Sequence, residues 1–316
     1  MGPILLAELA LTHSKSNAII LTYKHTDGVN MAYTTTQKNY MAEGANQDRM
    51  LRDHIRLMLG ITPTKVQAKR HTIISGPPGI GKSFSTMDEI EKSKTNYIQF
   101  GAGASDSAIA LKLAYNVNQL KAGEELVVLL DDADDIVFRD YETANKFKFA
   151  MAKDDPFYAQ EINFTTQRAQ YEKAGRMDLV NAIDAFQTPG SVGIHIPMDA
   201  VRFYVICNRN CEVKKQFGPK VYTAVEAIVD RVKYKRLDFE WKVSWGWLAH
   251  ILDKSQPFPD YPLTDEQKVK LADWMWTKWE SMRNTSYRTV EEMAEYMIND
   301  PDNAEEIWAS TFLKKV

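Results

Sequence analysis

Residues Gly76-Pro77-Pro78-Gly79-Ile80-Gly81-Lys82-Ser83 match G-x-x-x-x-G-K-[ST], the pattern of a phosphate-binding loop. The motif constrains the fold because it works only between a strand and a helix. The β-branched run His71-Thr72-Ile73-Ile74-Ser75 precedes it, and Ser83 to Ile90 reads as the start of a helix. An ordinary Gly/Pro turn that carries Lys-Ser by chance lacks those flanks. In such a loop, successive backbone N–H groups and a helix N-terminus form an anion cradle. Lys82 would reach the β- and γ-phosphates, and the Ser83 hydroxyl would sit on Mg²⁺.

The rest of the chain alternates strand and helix. Short strands are expected at Tyr97-Phe100, Leu126-Leu130, Val201-Cys207 and Val232-Phe239. Helices are expected at Asn46-Leu59, Asp106-Lys121, Tyr141-Ala152 and Val221-Asp230. Leu126-Val127-Val128-Leu129-Leu130 is apolar at every position, as a strand buried on both faces of a parallel sheet must be. The reading is an α/β fold, a parallel sheet with helices on both faces. Before it, residues 1–45 read as an N-terminal arm. Asp27-Gly28 there lies between two strand-like runs, 18–23 and 29–34, and signals a hairpin. After about Trp241 no strand signal remains. All seven tryptophans lie between Trp241 and Trp308. They read as the core of a small helical domain, 241–316, or as a platform for bases or a partner.

The strand 126–130 ends in Asp131-Asp132. A carboxylate at the C-terminal edge of the sheet can hold Mg²⁺ through its water shell, and Asp131 fits that role. Hydrolysis also needs a group that orients or deprotonates water, and Asp132 fits that one. The alternative is a pair that starts a turn or caps the next helix.

With these two motifs the chain resembles the AAA+ ATPases, over about residues 46–316. Three further residues stand in the order the resemblance implies. Asn208 ends a strand where the family carries sensor 1, or it simply ends the strand. Arg231 follows a helix where many members carry an arginine finger that enters the neighbouring subunit's site, or it is a cation suited to a helix C-terminus. Arg288 begins a helix where many lids carry a sensor 2 arginine, or it pairs with Glu291 or Glu292. The resemblance implies a P-loop NTPase sheet at 46–240, a helical lid at 241–316, and ATP with Mg²⁺ as cofactors. ATP would be held by Gly76, Pro77, Pro78, Gly79, Ile80, Gly81, Lys82, Ser83 and Phe84, the metal by Ser83 and Asp131. Asp132, Asn208, Arg231 and Arg288 would be the catalytic set. It also implies a ring of identical subunits, a hexamer in the commonest case.

The chain departs from the family in three places. The second acid of the strand is Asp132 where Glu is usual. The loop 101–105 has no aromatic residue of the kind that threads protein. The stretch 153–200 is long and acidic, with four Lys/Arg against seven Asp/Glu. It contains an expected helix at 166–186. A basic stretch lies elsewhere. Residues 209–236 hold eight Lys/Arg against three acids, which suits a nucleic-acid contact, a subunit interface or a solvated face. Compactness and the Asp-Asp strand look most like AAA+ ATPases of bacteriophages. The function expected is an ATP-driven motor or loader on DNA or a protein–DNA complex, with a protein-remodelling chaperone as the alternative. The net charge of −3 does not favour nucleic acid in bulk. Two cysteines, Cys207 and Cys211, make no disulfide framework, and no apolar run spans a membrane. The expected location is the cytoplasm, the host's if the source is viral, with no membrane partner.

Overall fold

Leu126-Leu130 is buried at all five positions because strands cover it on both sides and helices on both faces. A computed structural model describes residues 33–60, 70–152, 157–159, 163–187, 189–253, 258 and 260–314. In chain order the elements are α1 Thr35–Met58, β1 Thr72–Ser75, α2 Lys82–Ser93, β2 Asn96–Phe100, α3 Asp106–Gln119, β3 Leu126–Leu130 and α4 Tyr141–Ala150. There follow β4 Phe157–Ala159, α5 Phe164–Lys173, α6 Met177–Phe186, β5 Ile194–Ile196, β6 Val201–Cys207, α7 Pro219–Val229 and β7 Lys233–Arg236. The chain closes with α8 Trp241–Asp253, α9 Asp265–Lys278, α10 Tyr287–Asn299 and α11 Ala304–Phe312. These elements lie within one compact unit, Ala32–Val316.

Five strands form a parallel sheet in the order β2-β3-β6-β1-β7. Side chains alternate across it, as strand geometry requires. Leu126, Val128 and Leu130 of β3 meet Ile109 and Leu113 of α3, Phe147 of α4 and Val225 of α7. Val127 and Leu129 face the other way, into a cluster with Leu51 and Ile55 of α1, Ile90 of α2 and Trp247 of α8. The edge strand β7, Lys-Tyr-Lys-Arg, is half-exposed and charged, which blunts the edge against further pairing.

Three expectations are corrected. The first helix begins at Thr35, not Asn46, so 35–45 is helix rather than arm. Its start is a capping box: the Thr34 hydroxyl accepts the Gln37 N–H at 3.2 Å, and Gln37 Oε1 accepts the Thr34 N–H at 2.8 Å. The hairpin read at 18–34 falls, apart from Tyr33 and Thr34, outside the described residues. Second, 166–186 is two helices. Gly175, at φ +70°, ends α5 in the left-handed conformation that glycine adopts without strain. Third, the stretch 153–200 carries an antiparallel strand pair, β4 with β5, that no pattern announced. The stretch also does not stand apart. Phe157, Phe164, Ile183, Ile194 and Ile196 are buried in the main core beside α3 and α4.

The helices after Trp241 pack on α1. A Cβ on Gly44 would lie 2.3 Å from the Trp247 nitrogen, and one on Gly246 would lie 2.0 Å from the Tyr40 carbonyl oxygen. Two glycines therefore let the backbones of α1 and α8 touch. A glycine inside a helix costs up to about 1 kcal/mol, and close packing offsets it here. Beside this crossing the tryptophans form a core. Trp245 and Trp276 pack edge to face at 4.7 Å, Trp241 and Trp276 lie 5.2 Å apart, and Tyr40 of α1 lies 5.9 Å from Trp276.

A buried ion network ties α1 to α2. Arg52 donates to Asp48 and Glu89, each at 3.0 Å, and to Asp88, while Arg56 donates to Glu89 at 2.6 Å. Burial pushes the Glu89 carboxyl up, but the Arg56 and Arg52 hydrogen bonds overcome it and hold the group below its usual range. Arg52→Ala removes the cation that Asp48, Asp88 and Glu89 share, while Arg56 stays on Glu89. It should cost about 1.5–3 kcal/mol, read as a fall in urea midpoint with unchanged slope.

Burial also holds His71 neutral. Its pKa falls to about 4, driven by burial first and then by Arg70 and Arg202, and its Nδ1 accepts the Phe203 N–H at 3.1 Å. A ring that titrates near 6.5 unfolded and near 4 folded gives its full stabilisation above about pH 6.5. That stabilisation should drain away as pH falls from 6.5 towards 4. Melting temperature measured across that window should drop, and His71→Asn, which keeps an acceptor but does not titrate, should drop less.

Candidate phosphate-binding site

Parallel pairing brings three chain exits together. Ser75 of β1 lies opposite Cys207 of β6, and Leu130 of β3 lies opposite Val205. The residues that follow, Gly76, Asn208 and Asp131, therefore leave the same edge side by side. The Gly76 N–H donates to the Cys207 carbonyl at 3.3 Å, and the Ala133 N–H to the Ile206 carbonyl at 2.8 Å, which extends the pairing into the loops.

The loop after β1 curls into α2 through Gly79 and Gly81, at φ +75° and +82°. An L-residue at such angles is strained by about 1–2 kcal/mol. Lys82, at the first turn of α2, is buried. Its ammonium donates to the carbonyls of Gly76 and Pro77, both at 2.7 Å, and to Asn208 Oδ1 at 3.1 Å. Burial lowers its pKa to about 8, against the opposing pull of Cys207, Asp131, Asp134 and Asp132. The Ser83 hydroxyl donates to Asp131 Oδ1 at 2.7 Å. Lysine and serine from one stretch, and aspartate and asparagine from two others, thus meet at one helix N-terminus.

Asp132 differs from its neighbour. It is exposed, and its φ of +53° lies in the left-handed region. A non-glycine residue held there stores on the order of 1–3 kcal/mol of strain and marks many functional sites. Its N–H donates to Asp131 Oδ1 at 3.1 Å, which helps to fix the first carboxylate. Asp134 was not singled out by sequence. Its carboxylate accepts the N–H groups of Asn208 at 2.7 Å and Arg209 at 3.2 Å, and it locks the β6 exit to the β3 exit. The signal was present in the acidic run Asp131-Asp132-Ala133-Asp134-Asp135. The buried Cys207 and Cys211 sulfurs sit 3.9 Å apart at this exit as free thiols.

The C-terminal helices reach the same loop. The Tyr287 N–H, at the first position of α10, donates to the Gly79 carbonyl at 2.7 Å, and a Cβ on Gly79 would strike the Ser286 side chain at 2.1 Å. Arg288, the next residue of α10, is exposed and has no ion pair among the described residues. It does not pair with Glu291 or Glu292. Arg231 is not brought to this site. It stands before β7, whose first residue pairs with Thr72 at the start of β1, so it lies at the opposite edge of the sheet. That edge is about 13 Å away over four strand residues. Arg231 Nη1 donates to the Ala227 carbonyl at 2.5 Å and caps α7.

The donor set suits an anion in the glycine loop and a hard divalent cation between Ser83 and Asp131. Among the described residues no group of three His, Cys, Asp or Glu is placed to hold a metal alone. Such a cation would take its other ligands from water and from the anion.

No family model matches the chain. It is 25% identical over 243 residues to a protein of Enterobacteria phage T4 described as an uncharacterized 36.7 kDa protein in the nrdC–mobD intergenic region. The match covers 75% of this chain and 66% of the T4 protein, so it spans just under two thirds of that relative's length. Among the described residues no helix is long and apolar enough to cross a membrane.

Gly79→Ala should lose both the left-handed turn and the seat of Ser286. Gly175→Ala has the same sign of φ but open space around it, so it measures the conformational part alone. Urea titration should show Gly175→Ala costing about 1 kcal/mol and Gly79→Ala clearly more.

Proposed function

We propose that the chain is a P-loop NTPase of the AAA+ type, which binds ATP with Mg²⁺ and hydrolyses it to ADP and phosphate. The observation that carries the reading is the Ser83–Asp131 hydrogen bond beside a Lys82 held against Asn208. A hydroxyl and a carboxylate at that separation share one small cation. The lysine, released from the loop carbonyls, is the cation for the terminal phosphates. Bound Mg²⁺·ATP supplies the reactive phosphoanhydride and neutralises its charge. Asp132 orients or deprotonates water from its exposed, kinked position, and Asn208 holds a polar contact at the terminal phosphate.

Arg288 supports the same reading. A cation in the first turn of a helix opposes the helix dipole, which favours anions there. An unpaired arginine in that place, one residue from the contact with Gly79, suits a phosphate ligand. The helices after Trp241 then act as the lid. Arg231, at the far edge of its own sheet, can meet phosphate only on another copy. Its role therefore implies a ring, a hexamer in the family's commonest form.

For the substrate, DNA or a DNA-bound protein is the first reading. Lys214, Lys215 and Lys220 are exposed and make no ion pair among the described residues, as phosphate contacts require. Protein remodelling is the second reading. It is favoured by the acidic stretch 153–200, which is folded against α3 and α4 as a built surface.

One ATPase series tests the reading. Lys82→Ala should lose Mg²⁺·ATP binding. Asp132→Asn should bind normally and turn over on the order of 100-fold more slowly or worse. Arg231→Ala should bind ATP but be inactive alone, and mixing it with Lys82→Ala subunits should restore part of the rate. Wild-type turnover in Lys82→Ala removes the proposal. Addition of single- or double-stranded DNA to the wild type decides between the two substrates.

A further inference from the structure

Phe84 follows Ser83 in α2 and is 53% exposed, the most exposed large apolar side chain among the described residues. Successive helical residues point about 100° apart, so Phe84 projects away from the Ser83–Asp131 side of the helix end. Its ring lies nearly parallel to that of Tyr287, with centroids 5.9 Å apart and planes at 17°. Tyr287 is itself fixed. Its backbone N–H is bonded to Gly79, and the buried Phe258 packs against its ring at 5.1 Å. An aromatic ring is thus held rigid from behind, left open in front, and placed one residue from the phosphate loop.

The proposed arrangement fixes which end of a nucleotide lies there. Lys82, Asn208 and Asp131 gather at one side and would take the terminal phosphate. The nucleoside must leave on the other side, off the α-phosphate end of the loop. We infer that Phe84, backed by Tyr287, is the platform on which the base of the bound nucleotide stacks. This inference rests on the nucleotide-binding reading given above. Every base offers a π-face, so stacking on Phe84 adds affinity without choosing between adenine and guanine.

Calorimetric titration with Mg²⁺·ATP, Mg²⁺·GTP and Mg²⁺·tripolyphosphate tests it, because tripolyphosphate has the phosphates and no base. Phe84→Ala should bind both nucleotides about ten-fold or more weakly and bind tripolyphosphate as the wild type does. Phe84→Trp should bind nucleotides as the wild type does. Circular dichroism and melting temperature check that each variant is folded. If Phe84→Ala binds ATP as tightly as the wild type, the platform is refuted while the phosphate site stands. Equal losses for ATP and tripolyphosphate also refute it, since Phe84 then shapes the loop rather than the base. A wild type that binds none of the three removes the nucleotide reading and this inference with it.

Discussion

Parallel pairing is the constraint on which everything else in this molecule depends. It sends every strand out at the same edge, and it sets β1, β6 and β3 side by side there. Gly76, Asn208 and Asp131 are neighbours only because Ser75 pairs with Cys207 and Leu130 with Val205. Ligands of open α/β sheets bind outside the carboxyl ends of the strands for this reason. The same pairing removes Arg231 from the site, since it precedes a strand instead of following one.

The site is held from two directions. The ion network of Arg52, Asp48, Asp88 and Glu89 fixes α2 against α1, and Ser85 of α2 donates to Asp48 at 3.3 Å within that network. The backbone contact of Gly44 with Gly246 fixes α1 against α8. From the other side, α10 sets Tyr287 on Gly79. The glycine loop is therefore braced by α1 through α2 on one side and by α10 on the other. A change in the loop's conformation meets α8 and α10 directly. In the proposed function, that contact would couple nucleotide to the C-terminal helices.

Several features run against stability and cluster at this one place. A lysine is buried, an aspartate is held at positive φ, and the Trp247 indole N–H is buried without a partner among the described residues, 3.8 Å from where a Cβ on Gly81 would stand. Each costs on the order of 1 kcal/mol or more. A fold keeps such groups where the surrounding packing over-determines them. Here the fully buried β3 and β6 supply that rigidity.

Much of the sheet was legible because its signals are local. A run of five apolar residues ending in Asp131-Asp132 gives a buried strand and its carboxylates, and Gly81-Lys82-Ser83 gives the loop and the helix start. What sequence alone could not decide was anything set by distant packing. Residues 35–45 read as an arm, yet they begin α1, and α8 packs into the gap that Gly44 leaves. The stretch 153–200 read as long and acidic, yet its apolar residues complete the core over α3. Asp134 read as one acid among four, and only the approach of the β6 exit gave it two backbone N–H groups to accept. The sequence by itself determined the backbone course of the glycine loop, since the positive φ angles there fall on Gly79 and Gly81. Tertiary structure decided which residues meet it, because strand order and helix crossings join positions far apart in the chain that no local pattern relates.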